Sequence, residues 1–239
     1  AVKYSKCLQP LQYWNGTDHE EPPEQMCKVV RYLTHRRPHL SIPLHEIINE
    51  YYDVAGVIHV GAHTGQEWSD YDDNDIRNVM MFEPLRSAFD QLRANVPDSV
   101  ECYCTALGNY TGVATLNTET ANQGMSSSVL KPTKHLEQYP QIEFNGTELI
   151  HMERMDDIPF DRARFNMLNV DVQGYEMEVL KGAAETLKHI DVIYCEVNKE
   201  PLYDGDPVVG EIDALLSDFE RVRTEWIGGN WGEAVFVRK

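Results

Sequence analysis

The sequence predicts an α/β fold: a seven-stranded, mostly parallel sheet closed by an antiparallel C-terminal hairpin. Three observations point there. Apolar runs at 57–60, 79–82, 165–170 and 192–197 alternate with stretches of helical spacing, as in strands joined through crossover helices. Two of those runs end in loops rich in glycine and polar residues, Gly61 to Gly65 and Asp171 to Glu176, and parallel sheets bind their ligands at the carboxyl ends of strands. The tail alternates around Gly228-Gly229-Asn230, which reads as a hairpin.

Length and charge narrow the possibilities. The 239 residues suit one large domain with an N-terminal annex, which we place at 1–54, followed by a main domain at 55–239. With 21 basic against 39 acidic side chains the net charge is -18, so DNA and RNA are repelled and make poor partners. No apolar run is long enough to span a membrane and no signal peptide is visible, so a cytoplasmic protein without a membrane partner is expected. Cys7, Cys27, Cys102, Cys104 and Cys195 are odd in number and lack Cys-x-x-Cys spacing, which fits reduced thiols. The chain opens on Ala1 rather than Met, as a processed form or a segment of a longer chain would.

In chain order, 1–21 reads as a loose arm and Pro22-Pro23 opens a helix ending in the basic run His35-Arg36-Arg37. Leu44, Ile47, Ile48 and Tyr51 mark a second helix. These helices suit a cover for the sheet, a homodimer contact or a roof over the site. After the first strand, 67–75 reads as helix with an acidic end at Asp70, Asp72, Asp73 and Asp75, a solvated run rather than a metal site. A helix at 87–95 precedes a third strand over 100–107. From 113 to 154 the alternation suggests an inserted hairpin around the polar loop 122–128. Beyond the strand at 165–170 we expect a helix over 177–189, a strand at 192–197, a helix at 208–216 and the closing strands 220–226 and 233–237.

The loop after the first strand decides between cofactors. A dinucleotide site wants Gly-x-Gly-x-x-Gly so that a pyrophosphate can rest on bare backbone. Here Ala62-His63-Thr64 separates the glycines, which suits S-adenosylmethionine, a cofactor without phosphate. Glu83 closes the second strand where a ribose-binding carboxylate is expected. These two motifs fit a methyltransferase-like site and an ordinary glycine-containing turn equally well.

Taken together, His59-Val60-Gly61-Ala62-His63-Thr64-Gly65-Gln66, Phe82-Glu83-Pro84, Ala106-Leu107-Gly108, Met155-Asp156-Asp157, Asp171-Val172-Gln173-Gly174-Tyr175-Glu176 and Leu180-Lys181-Gly182-Ala183 resemble the FkbM family of S-adenosylmethionine-dependent methyltransferases. The resemblance runs from about Gly56 to the end. It departs from the family's usual Asp-x-Gly-Ala-Asn at His59 and His63, and from Asp-x-Glu-Gly at Gln173.

The resemblance implies a class I methyltransferase, Rossmann-like, that binds S-adenosyl-L-methionine. It implies cofactor contacts at His59, Gly61, His63, Gly65, Gln66, Glu83, Pro84, Leu85, Thr105, Ala106, Leu107, Ser126, Ser127, Asp171 and Val172. Candidate catalytic groups are Asp171, Glu176 and Glu196, because a neutral hydroxyl is a poor nucleophile without a base. Gln173, Tyr175, Asn198 and His151 are candidate acceptor contacts, and no metal ligand is assigned. The family methylates hydroxyls of sugars, polyketides and other small molecules; a sugar or glycan is the expected acceptor, with Trp226, Trp231, Tyr175 and Tyr203 as stacking surfaces. The alternatives are a non-sugar metabolite methylated on oxygen or nitrogen, a non-catalytic binding domain, and an NAD-dependent enzyme disfavoured by its glycines.

Overall fold

The computed structural model describes residues 39–50 and 52–239. The arm and helix expected before residue 38 lie outside the described residues. Ten strands follow one another: β1 (Gly56–Val60), β2 (Asn78–Phe82), β3 (Glu101–Tyr103), β4 (Ala106–Leu107), β5 (Gly112–Glu119), β6 (Phe144–Glu153), β7 (Met167–Val170), β8 (Val192–Asn198), β9 (Phe219–Trp226) and β10 (Trp231–Arg238). The α-helices are α1 (Leu44–Glu50), α2 (Trp68–Asp73), α3 (Arg86–Asn95), α4 (Lys134–Gln138), α5 (Glu176–Lys181) and α6 (Val209–Leu215).

Seven strands form one sheet in the order β3-β2-β1-β7-β8-β10-β9. Only β10 is antiparallel to its neighbours, as the C-terminal hairpin requires. Every residue of β1 is buried, because the sheet carries helices on both faces. Alternation sends Ile58 and Val60 into one core with Phe82, Leu168, Leu180 and Ile193, and Val57 into the other with Leu44, Tyr71 and Leu92. Each such fully buried aliphatic side chain contributes about 1.5–3 kcal/mol. In α3, Ala88 and Leu92, one turn apart, are the buried positions, and Leu92 packs into that second core.

The stretch before β1 is tied to the sheet through polar groups, one of the bonds exposed and one buried. The Ser41 amide donates to Glu233 at 2.8 Å and the Ile42 amide to the Tyr194 hydroxyl at 3.1 Å. The acidic run after β1 is engaged as well. Asp70 accepts from the amides of His39 and Leu40 at 2.9 and 3.2 Å, and Asp72 and Asp75 pair with Arg77. Among the described residues, no helix is long and apolar enough to cross a membrane.

The structure corrects three expectations. The single strand at 100–107 is two: β3 ends at Tyr103, and β4 joins a second sheet, β4-β6-β5, parallel to β6. At the switch, the Thr105 hydroxyl donates to the carbonyl of His151 at 3.1 Å, drawing the chain to its new partner. The helix at 177–189 is also two pieces, α5 and a 3-10 turn at Thr186–His189. Asp156 starts the second piece by accepting from the amides of Glu185 and Thr186, each at 2.9 Å. Finally, the polar loop after β5 leads into α4, a helix no periodicity announced, where Thr133 and His135 both donate their amides to the carbonyl of Leu202.

Gly182 ends α5 with its Cα against the carbonyl of Gly108, where a Cβ would overlap the oxygen. Gly182→Ala is therefore expected to lower stability by about 3 kcal/mol, within the range for severe overpacking. Urea unfolding followed by far-UV circular dichroism checks this; an unchanged midpoint would show that the two loops part without cost.

Candidate active site

A cavity of about 350 Å³ lies at the carboxyl ends of β1, β2, β7 and β8, bordered by the loop that follows β5. Its floor is the crossing of three chain segments. Gly61 and Ala62 both donate their amides to the carbonyl of Phe82 at 3.0 Å, and Asp171 donates its own to Val60 at 3.0 Å. Gly61 has φ 86, and a Cβ there would overlap the carbonyl oxygen of Asp171, so only glycine lets β1 turn this close to β7. Val60, Gly61, His63, Gln66 and Glu67 line this part.

Glu83, at the end of β2, is buried and fully oriented. Its Oε2 accepts from the His63 amide at 2.9 Å and its Oε1 from the Leu85 amide at 2.7 Å. Burial nevertheless outweighs both donors and pushes its carboxyl up to about 7. Pro84, Leu85, Thr105, Ala106 and Leu107 continue this wall.

The opposite wall is acidic. Asp171, Glu176 and Glu196 carry carboxylate oxygens within 4.8 Å of one another. Glu196 is buried, and desolvation, then the Asp171 and Glu176 charges, hold its carboxyl well above the ordinary range. The Gln173 amide nitrogen donates to Asp171 at 2.8 Å and to Glu196 at 2.9 Å. Glu67 reaches about 7, chiefly through burial. Asp171, Val172, Gln173, Tyr175 and Glu196 line the cavity. The donors already directed at the three-carboxylate cluster fit oxygens held by N–H groups rather than gathered around a cation.

Asn122, Gly124, Met125, Ser126 and Ser127 line the side beneath the loop after β5. Glu119 braces that loop by accepting from the amides of Asn122 and Ser126 at 2.6 and 3.3 Å. The His63 ring donates from Nε2 to the carbonyl of Gln123 at 2.9 Å, which leaves Nδ1 as a buried acceptor without a partner among the described residues. Farther out the walls are His135, Tyr139, Ile142, Leu202 and Trp231. His135 is buried against Tyr139, Phe144 and Tyr203; burial lowers its basicity, and its Nδ1 also lacks a partner among the described residues.

Five expected site residues stand elsewhere. His59 points off the cavity face of β1, its Nδ1 3.2 Å from the Tyr71 hydroxyl, because odd positions of this strand face the second core. Gly65 turns at φ 77 against Leu92 and Val96 of the α3 segment, which makes it a packing residue. Glu176 accepts from the amides of Val172 and Gly174 at 3.0 and 3.1 Å and braces the loop from behind, its carboxyl raised to about 8 by burial. Asn198 is buried and donates to Asp206 at 3.3 Å. His151 sits on the exposed face of β6. Of the expected stacking surfaces, Tyr175 and Trp231 line the cavity, whereas Tyr203 is buried behind it and Trp226 carries Lys199 over its ring. Sequence reasoning missed Glu67, His135, Tyr139, Ile142 and Leu202. Pro132-Thr133 before Lys134 is a helix-start signal that could have located α4.

A parallel sheet in this strand order with an antiparallel last strand, and a carboxylate closing β2 over a glycine turn, define a class I, S-adenosylmethionine-dependent methyltransferase. The family model described as Methyltransferase FkbM domain matches residues 59–223, and the chain belongs to that family. Its cofactor is therefore S-adenosyl-L-methionine. A curated relative, the 2-O-methyltransferase NoeI of Sinorhizobium fredii, is 33% identical over 100 residues, covering 41% of each chain. The chain thus spans about two-fifths of that relative's length. Among solved structures, a SAM-dependent methyltransferase from Aquifex aeolicus aligns over 89% of this chain and 98% of its own, with 12% identity and a TM-score of 0.46. An NADB-Rossmann superfamily protein from Streptococcus agalactiae aligns over 84% of this chain and 69% of its own, with 11% identity and a TM-score of 0.49. Neither structure is near enough to bear on activity.

His59 supplies a pH prediction. Burial lowers its basicity from the ordinary 6.5 to about 3, so the folded chain holds it neutral while the unfolded chain protonates it. Its stability contribution is complete above pH 6.5 and is lost as pH falls from there toward 3. Of the stability lost between pH 7 and 5, about 2 kcal/mol belongs to this group. Urea unfolding at both pH values should show His59→Gln losing less than the wild type by that amount.

Proposed function

We propose that the enzyme methylates a hydroxyl of an uncharged sugar, glycan or related small molecule. The observation that carries this reading is the make-up of the cavity. Glu67, Glu83, Asp171 and Glu196 stand beside the aromatic side chains Tyr139, Tyr175 and Trp231, with no Lys or Arg among the described residues that line it. Carboxylates accept hydrogen bonds from hydroxyls, and aromatic faces cover the apolar face of a sugar ring. A phosphate or carboxylate on the acceptor would meet carboxyl groups and no described cation. The likeness to a 2-O-methyltransferase supports oxygen as the methylated atom.

The residues present fit the cofactor. Each Glu83 oxygen holds one backbone N–H and keeps a lone pair, which together would accept the two ribose hydroxyls. Gly61 leaves room for the amino-acid end, Leu85, Ala106 and Leu107 would flank the adenine, and Ser126 and Ser127 offer it donors. Bound there, S-adenosylmethionine supplies an electrophilic methyl group on a positively charged sulfur. Asp171, exposed at the rim, accepts the proton from the acceptor hydroxyl, while buried Glu196 keeps its own. The loop after β5 excludes water and fixes the approach, which is worth a large share of the rate in a displacement.

Labelled methyl transfer to a panel of neutral glycosides, each beside its uronate and its phosphate, tests the reading. Neutral members should react, with anionic counterparts at least about tenfold lower in kcat/KM. Methylation of a peptide or polyketide with every glycoside inert overturns it.

Glu83 makes a second test. Because its carboxyl is raised to about 7, it must shed a proton below that pH before both oxygens can accept hydroxyls. Affinity for S-adenosylhomocysteine should fall toward about tenfold per pH unit below 7. Glu83→Gln should flatten that dependence and cost about a hundredfold at pH 8. Calorimetry across pH 6–8 measures both.

A further inference from the structure

Gln173 occupies an unusual place. Its backbone holds φ 56, outside the comfortable range of a side chain this size, and its amide sits between the two carboxylates at the cavity wall. The amide orientation follows from its neighbours. Turning the amide over would set its oxygen against both Asp171 and Glu196, away from the Tyr203 hydroxyl 3.3 Å distant, whose hydrogen goes chiefly to the Ser126 carbonyl at 3.0 Å. The main chain is fixed too, since the Ser128 hydroxyl donates to the Gln173 carbonyl at 2.7 Å.

We propose that Gln173 is a positioning residue for methyl transfer: it gives one amide hydrogen to Asp171 and the other to Glu196, and thereby sets how tightly this carboxylate pair holds its proton. Its relevance to turnover rests on the reading that the pair takes the acceptor's proton. Two carboxyl groups this close do not both ionise freely, so the pair gives up its second proton less readily than either group alone would. An N–H donor to each oxygen favours the ionised form of either. A carboxyl at position 173 would have no such hydrogens to give when ionised and would add a further negative charge.

Among the described residues, every other group facing the pair opposes ionisation or is neutral. Glu67 comes from the loop after β1, Glu176 from the start of α5, Asp206 and Tyr203 from the segment before α6, and Glu233 from β10, directly across from Glu196. His59, Asn169 and Tyr194 complete the shell behind it, and Cys195 is the neighbour along β8. No Lys or Arg stands among these residues, which leaves the Gln173 amide as the donor that reaches both carboxylates.

The test needs neither cofactor nor acceptor, so it is decided separately from the sugar reading. Carbon-13 NMR of the carboxyl groups, in the full chain labelled at Asp and Glu and assigned through Asp171→Asn and Glu196→Gln, follows the pair across pH. In Gln173→Met, equal in length but without donors, the first proton loss should move up by about one pH unit or more. In Gln173→Glu it should move up further. Titrations in Gln173→Met that superimpose on the wild type, with the amide spectrum still that of the folded chain, overturn the proposal. Should the Met variant fail to fold, an unshifted pair in Gln173→Glu overturns it equally. A purely structural role for Gln173 would lower stability in both variants and leave the titration where it was.

Discussion

The close passage of Gly61 beneath the carbonyl of Asp171 is the constraint on which the site depends. Two adjacent parallel strands end there, and the amides of Gly61 and Ala62 both turn to the carbonyl of Phe82 on the far side. Three strand ends are thus locked into one rim. That lock sets the His63 amide against Glu83, points Glu83 into the cavity, and places Asp171 across from it. A side chain at position 61 would spread β1 from β7, and the two halves of the cleft would no longer share a geometry.

The rim gathers negative charge in a place that water reaches poorly. Glu83, Glu67 and Glu196 are each raised by burial, so the resting cleft holds protons that an exposed carboxylate would have shed at neutral pH. Such a cleft offers carboxyl oxygens to hydroxyl donors, and its described lining offers no cation to an anion. Outward, at Tyr139, Ile142 and Trp231, apolar and aromatic area replaces charge.

The sheet was legible because its signals are local. Val57-Ile58-His59-Val60 and Val79-Met80-Met81-Phe82 are short apolar runs bounded by turn residues, and Glu83 and Asp171 each directly follow a strand, so their placement needed nothing beyond strand direction. The misses share a cause, which is that partner choice is not written in a single segment. The alternation over 100–107 is genuine, yet it does not say that Ala106 leaves β2's side of the fold for β6. His59 lies two residues before Gly61 and still faces the opposite core, because strand parity, and not distance along the chain, decides its side. His135 and Tyr139 enter the cavity through α4, whose five residues are too few to leave a periodic trace. Glu176 carried the composition of a catalytic acid and serves instead to hold two amides of its own loop.

Among the bonds that join the loop after β5 to the remainder of the cleft are three at its tip: the His63 ring to Gln123, the Tyr203 hydroxyl to the Ser126 carbonyl, and the Ser128 hydroxyl to Gln173. All three bonds have a main-chain carbonyl as acceptor, a group that every amino acid carries. In two of the three the loop itself lends only that carbonyl, so replacing the side chain of Gln123 or Ser126 leaves its tether in place, whereas replacing Ser128 removes one.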